Sequence, residues 1–120
     1  MTKTTLVYSY SKCGSCKKAI NWLKENNINY RLIDIIENPP SKALMAKAIK
    51  QLGDSKYLFN TSGASYREIG SSTIKKMSIE KQVELLVNDS KLIKRPFLIS
   101  NNGYFLTGFK PKVWEEHLSK

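Results

Sequence analysis

The run Leu6-Val7-Tyr8-Ser9-Tyr10-Ser11-Lys12-Cys13-Gly14-Ser15-Cys16-Lys17-Lys18-Ala19-Ile20-Asn21-Trp22-Leu23 passes from a strand pattern to a helix pattern through the chain's two cysteines. Residues 6–9 read as a strand. From about 15 to 25, apolar residues recur at helical spacing and put Cys16, Ala19, Ile20 and Leu23 on the buried face of a helix. Cys13 therefore falls at a strand-to-helix junction. The unpaired amide N–H groups and the positive end of the helix dipole favour a thiolate over a thiol there. Lys12, Lys17 and Lys18 act in the same direction. Two intervening residues let the sulfurs meet across one helical turn, which suits redox chemistry.

Outward from that junction, Asn26-Asn27 can end the helix, because Asn tolerates the left-handed conformation. Residues 30–35 form a second strand. Strand, helix, strand over so short a span is a βαβ unit with parallel strands and a right-handed crossover. Asn38-Pro39-Pro40-Ser41 breaks the pattern. A helix over 41–52 follows, striped with Leu44, Met45, Ala48, Ile49 and Leu52 and stopped by Gly53. Residues 58–70 are loop-like, with a helical turn near 66–68. Ser78 caps another helix, with Glu80 in its first turn and Ile79, Val83, Leu86 and Val87 on its apolar side. Strands at 97–100 and 104–107 flank Asn101-Asn102-Gly103, a strong hairpin signal. Pro111 opens a last helix carrying Val113, Trp114 and Leu118. The order βαβ, helices, ββα is that of an α/β thioredoxin-like fold with a four-stranded mixed sheet. One domain over 1–120 is expected, with core segments 1–37 and 91–120 and a helical insertion at 38–90.

The chain has 120 residues, enough for one modest core. Its net charge is +10, from 20 basic and 10 acidic residues. The longest basic runs are pairs such as Lys75-Lys76 and Lys94-Arg95, so no nucleic-acid stripe emerges and a solvated basic surface is the plain reading. Residues 1–5 lead straight into the first strand, with no signal-peptide core and no apolar run long enough for a membrane. A cytoplasmic monomer with no membrane partner is expected. In that reducing compartment a paired cysteine motif is catalytic, sensing or metal-binding rather than structural. A closed zinc site wants four ligands. Only His117 could join the cysteines as a soft ligand, so no metal site is assigned, and His117 is expected on the surface of the last helix. Trp22 and Trp114 lie on or beside apolar helical stripes and are assigned to the core.

The chain resembles the arsenate reductase (ArsC) family of glutaredoxin-like type, in the branch that includes the Spx/MgsR regulators. The resemblance rests on Tyr8-Ser9-Tyr10-Ser11-Lys12-Cys13, Glu37-Asn38-Pro39-Pro40-Ser41, Phe59-Asn60-Thr61-Ser62-Gly63, Tyr66-Arg67-Glu68, Leu92-Ile93-Lys94-Arg95-Pro96 and Gly108-Phe109-Lys110-Pro111. It implies Cys13 as the nucleophile, Cys16 as the resolving thiol and Arg95 as a cation beside them. It also implies a cis peptide before Pro96, facing the cysteine pair. Lys12, Asn60 and Lys110 join Pro96 as expected anion- or substrate-binding residues. In arsenate reductases of this type, three arginines surround the oxyanion. Arg95 matches one, while Asn60 and Lys110 stand at the other two positions. Arg offers a charged bidentate fork; Asn offers no charge and Lys only a point charge.

Two functions follow from the resemblance. One is a cytosolic thiol–disulfide oxidoreductase, arsenate reductase-like, with no bound cofactor. It would be fed by glutathione or thioredoxin and act on an oxyanion or a protein disulfide. The other is a redox-sensing regulator of the Spx/MgsR kind that binds RNA polymerase and uses a Cys13–Cys16 disulfide as its switch. Spx itself carries a further C-terminal extension, and this chain ends after the last helix. A redox-inert binding module of the same fold is the third reading.

Overall fold

The computed structural model describes residues 4–118; the expected lead-in at residues 1–3 lies outside the described residues. By contacts the chain forms two compact units, one of residues 1–38 with 95–120 and one of residues 39–94. Residues 91–94, assigned from sequence to the second core segment, belong instead to the helical unit. The reason is a backbone clamp: Phe59 bridges Ile93, Lys94 N–H donates to Leu58 O at 2.7 Å, and Asn60 N–H donates to Leu92 O at 2.7 Å.

In the first unit, β1 (Thr5–Ser9), α1 (Gly14–Glu25) and β2 (Tyr30–Asp34) form the expected parallel βαβ unit, with Val7 opposite Leu32. β3 (Phe97–Ile99) pairs antiparallel with β1, and β4 (Phe105–Thr107) pairs antiparallel with β3. The sheet order is β2-β1-β3-β4, the mixed arrangement of a thioredoxin-like fold. The β3–β4 hairpin turns at Gly103, whose φ of +85° only glycine adopts without strain. Side chains alternate across the sheet. On one face, Val7, Leu98 and Leu106 form a core with Ala19 and Leu23 of α1 and with Trp114 of the last helix. On the other face, Tyr8, Phe97 and Phe105 meet edge to face, with Tyr8–Phe97 centroids 5.6 Å apart. Burial of each such side chain is worth roughly 1.5–3 kcal/mol.

The second unit is helical. α2 (Lys42–Leu52) starts at Ser41, whose Oγ accepts the Leu44 N–H at 3.2 Å, and ends at Gly53 with φ +88°. After a 3-10 turn (Ser55–Leu58) come α3 (Ala64–Ile69), α4 (Ser71–Lys75) and α5 (Ile79–Asn88). α3 contains the helical turn expected near 66–68, and α4, parted from it by Gly70 at φ +94°, follows the region expected to be loop-like. The α4 run is too short for periodicity to reveal; Tyr66 and Ile74 are buried. Ser78 caps α5 through the Lys81 N–H. Ile79 departs from its expected apolar stripe and is 49% exposed, because it stands in the first helical turn. The first unit closes with α6 (Pro111–His117), where Val113 is likewise exposed and Leu118 caps the end. No described helix is long and apolar enough to cross a membrane.

Candidate active site

Strand register brings several separate segments to one end of the sheet. Tyr8 pairs with Phe97, and Phe97 with Thr107. The C-terminal ends of β1 and β4 therefore flank the start of β3. The 10–13 loop, Arg95-Pro96 and Gly108-Phe109-Lys110 all leave the sheet at that end. Gly108 N–H donates to Pro96 O at 2.9 Å, and the Arg95–Pro96 peptide is cis, as the resemblance implied.

Cys13 is the N-cap of α1, with extended backbone at φ −99° and ψ 116°. Its N–H donates to Tyr10 O at 3.0 Å, which closes the loop. Its Sγ accepts the Cys16 N–H at 3.3 Å, so the sulfur occupies the place a Ser or Asp oxygen takes in an ordinary cap. Half-exposed Cys13 contrasts with Cys16, which is 1% exposed; both are free thiols. Burial first, then a side-chain hydrogen bond with Cys13 and the charge of Cys13, push the Cys16 thiol from its ordinary 9.0 up to about 12. A backbone hydrogen bond from Tyr10 and the positive charge of Arg95 oppose that rise. The two cysteines thus differ in access to solvent.

Arg95 is half-buried, and its guanidinium carbon sits 5.0 Å from the centroid of the Tyr10 ring. The aromatic face holds the cation at this end of the sheet. Tyr10 is the residue whose part sequence reasoning missed. It stood within the quoted 8–13 motif, and an aromatic residue in the cysteine loop was the available signal. Lys12 and Lys110 are exposed, with Lys110 at the N-cap of α6. The Gly108-Phe109-Lys110-Pro111 segment owes its shape to packing. Phe109 lies edge to face with Trp22 and Trp114, and the buried Trp114 Nε1–H donates to Gly108 O at 3.1 Å. Asn60 belongs to the helical unit, where its Oδ1 accepts the Ser62 hydroxyl at 3.4 Å and its carbonyl accepts the Gly63 N–H. Its side chain crowds Gly63, where an added Cβ would lie 2.7 Å from Asn60 Nδ2.

A cleft of about 210 Å³ is lined by Cys16, Tyr10 and Lys17 with Leu32 and Asp34 of β2. The Asp34 carboxylate is engaged in a turn, accepting the Ile36 N–H at 2.8 Å. Among the described residues, no three His, Cys, Asp or Glu side chains cluster as metal ligands. His117 differs from expectation: it is half-buried and stacked on Tyr104, centroids 4.0 Å apart. Strand β4 begins next to Tyr104, and α6 folds back to lay His117 over that ring.

Known proteins are similar to this chain over nearly its whole length. YusI, an uncharacterised protein of Bacillus subtilis (strain 168), is 42% identical over 112 residues, covering 92% of this chain and 94% of YusI. The regulatory protein MgsR of the same organism is 24% identical over 112 residues, covering 92% and 87%. The crystal structure of an ArsC family related protein from Bacteroides fragilis superposes with a TM-score of 0.86 at 39% identity, covering 94% of this chain and 96% of that one. That of a possible arsenate reductase from Streptococcus mutans UA159 gives 0.82 at 34%, covering 90% and 92%. The family model itself matches residues 8–117, from the first strand through the last helix, and the chain belongs to the ArsC family.

Proposed function

We propose that this protein is a thiol–disulfide oxidoreductase with Cys13 as nucleophile and Cys16 as resolving thiol. The observation that carries the reading is the asymmetry of the pair: a half-exposed Cys13 sulfur on a helix N-terminus, above a buried Cys16 whose N–H points at it. The Cys13 thiolate attacks one sulfur of a disulfide substrate. A mixed disulfide forms, and the other sulfur leaves as a thiolate that takes a proton from solvent. Cys16 then loses its proton and attacks the Cys13 sulfur. The second half of the substrate departs as a thiolate, and a Cys13–Cys16 disulfide remains. Glutathione or thioredoxin returns the two electrons. Arg95 steadies negative charge at this end of the sheet. A disulfide is the favoured substrate over arsenate, since family resemblance alone would put arginines at Asn60 and Lys110, and neither supplies a bidentate fork.

The second reading is a redox regulator. It is favoured by the likeness to MgsR and to proteins named global transcriptional regulator Spx. In it the same Cys13–Cys16 disulfide would switch binding to RNA polymerase. NADPH consumption in coupled glutathione and thioredoxin assays, with a model disulfide and arsenate as alternative substrates, tests the first reading. Turnover that vanishes in Cys13→Ser supports it. No turnover by folded, reduced protein sinks it, and a redox-dependent pull-down of RNA polymerase would then establish the regulator.

A further inference from the structure

The helical unit holds a half-enclosed cavity of about 500 Å³, within the roughly 300–1,000 Å³ typical of small-molecule sites. Its lining comes wholly from residues 49–82. Ile49, Phe59 and Ile74 supply apolar surface. The polar feature is Gln82, only 4% exposed. Its Nε2 donates to Ile74 O at 2.7 Å and to Met77 O at 3.5 Å, which fixes the orientation of the amide. Its Oε1 is buried and has no hydrogen-bond partner among the described residues. An amide oxygen only accepts, so whatever satisfies it must donate. Lys56 and Lys75 also line the cavity. The one carboxylate among the lining residues, Asp54, already accepts the Lys56 backbone N–H at 2.9 Å. The lining thus carries a surplus of positive charge.

We propose that this cavity binds a small amphipathic anion: an apolar body against Ile49 and Phe59, one N–H or O–H donor for Gln82 Oε1, and an acidic group for Lys56 and Lys75. A pure hydrocarbon would leave the amide oxygen unpaired. A neutral molecule would leave the lysines unused.

The probe is 6-anilinonaphthalene-2-sulfonate, which has an aromatic body, one N–H and one anion. It is titrated by fluorescence into the full chain, with folding verified by circular dichroism. Two relatives dissect the contacts: 6-phenoxynaphthalene-2-sulfonate replaces the N–H by an ether oxygen, and N-phenyl-2-naphthylamine lacks the sulfonate. Saturable one-to-one binding is expected, about tenfold weaker for the phenoxy compound, the worth of one hydrogen bond to a buried acceptor. Lys75→Glu should weaken the anilino sulfonate several-fold and leave N-phenyl-2-naphthylamine unchanged. Gln82→Leu should erase the difference between the anilino and phenoxy probes. If Gln82→Leu fails to fold, the probe comparison in the wild type and the exposed Lys75→Glu variant decide. Absence of saturable binding to the folded wild type, equal affinity of the anilino and phenoxy probes, or indifference to Lys75→Glu overturns the proposal.

Discussion

The backbone N–H of Cys16 donates to the sulfur of Cys13 at 3.3 Å, while the Cys16 sulfur is itself sealed from solvent. One residue thus donates to the Cys13 sulfur with its main chain and buries a second thiol with its side chain.

This arrangement predicts ordered alkylation. Treated with iodoacetamide near pH 8, the reduced protein should take its first label at Cys13 and resist a second. A thiol raised from 9.0 to about 12 carries about a thousandfold less thiolate. Peptide mass spectrometry over time reads the order, and early labelling of Cys16 would contradict it.

Cys16 also ties stability to alkaline pH. Its folded-state acidity is weaker than in the unfolded chain, so the native state holds the proton more tightly. The stabilisation is fully present below pH 9 and is lost as pH rises from about 9 to about 12. Urea midpoints measured across that range should fall more steeply for the wild type than for Cys16→Ala. Subtracting the two curves removes the titration of lysines and tyrosines common to both.

Arg95 and Tyr10 should separate charge from packing. Arg95→Ala removes the cation and is expected to lower disulfide turnover about tenfold, or about 1.4 kcal/mol. Its cost to stability should stay near 1 kcal/mol, the scale of a cation–π contact. Tyr10→Leu keeps the charge but loses the ring beneath it, and should give a smaller kinetic loss. Steady-state kinetics beside thermal melts distinguish the two.

Trp114 is the anchor of the Gly108–Pro111 segment. Trp114→Phe keeps an aromatic ring in the core but leaves Gly108 O without its 3.1 Å donor. A loss of about 1–3 kcal/mol is expected. Trp114→Ala should cost about 3–5 kcal/mol. Denaturant unfolding measures both.

Where physics acts over a few residues, the sequence was legible. Ser78 caps α5, Gly53 stops α2 and the Asn-Gly pair turns the hairpin, because each effect needs only the local backbone. Of the two short helices, α3 was legible as a helical turn near 66–68, while α4 escaped notice because so short a run shows no period. His117 and Ile79 went against expectation because burial depends on what folds over a side chain, which helical spacing does not encode.

The candidate site divides along the same line. Spacing alone put Cys13 at a helix start and Cys16 one turn on. The pairing of Tyr8 with Phe97 and of Phe97 with Thr107 carried Arg95, Pro96 and Gly108 to that place. The helical spacing also put Cys16 on the buried face of α1, and the packed structure leaves it 1% exposed. The sequence by itself determined the local pieces: the strand-to-helix junction, the caps, the turn and the family to which they belong. Only the tertiary structure decided which distant residues meet there. Chain connectivity sets torsions between neighbours, whereas the field and solvent around a thiol are set by segments that sheet register and packing bring to it.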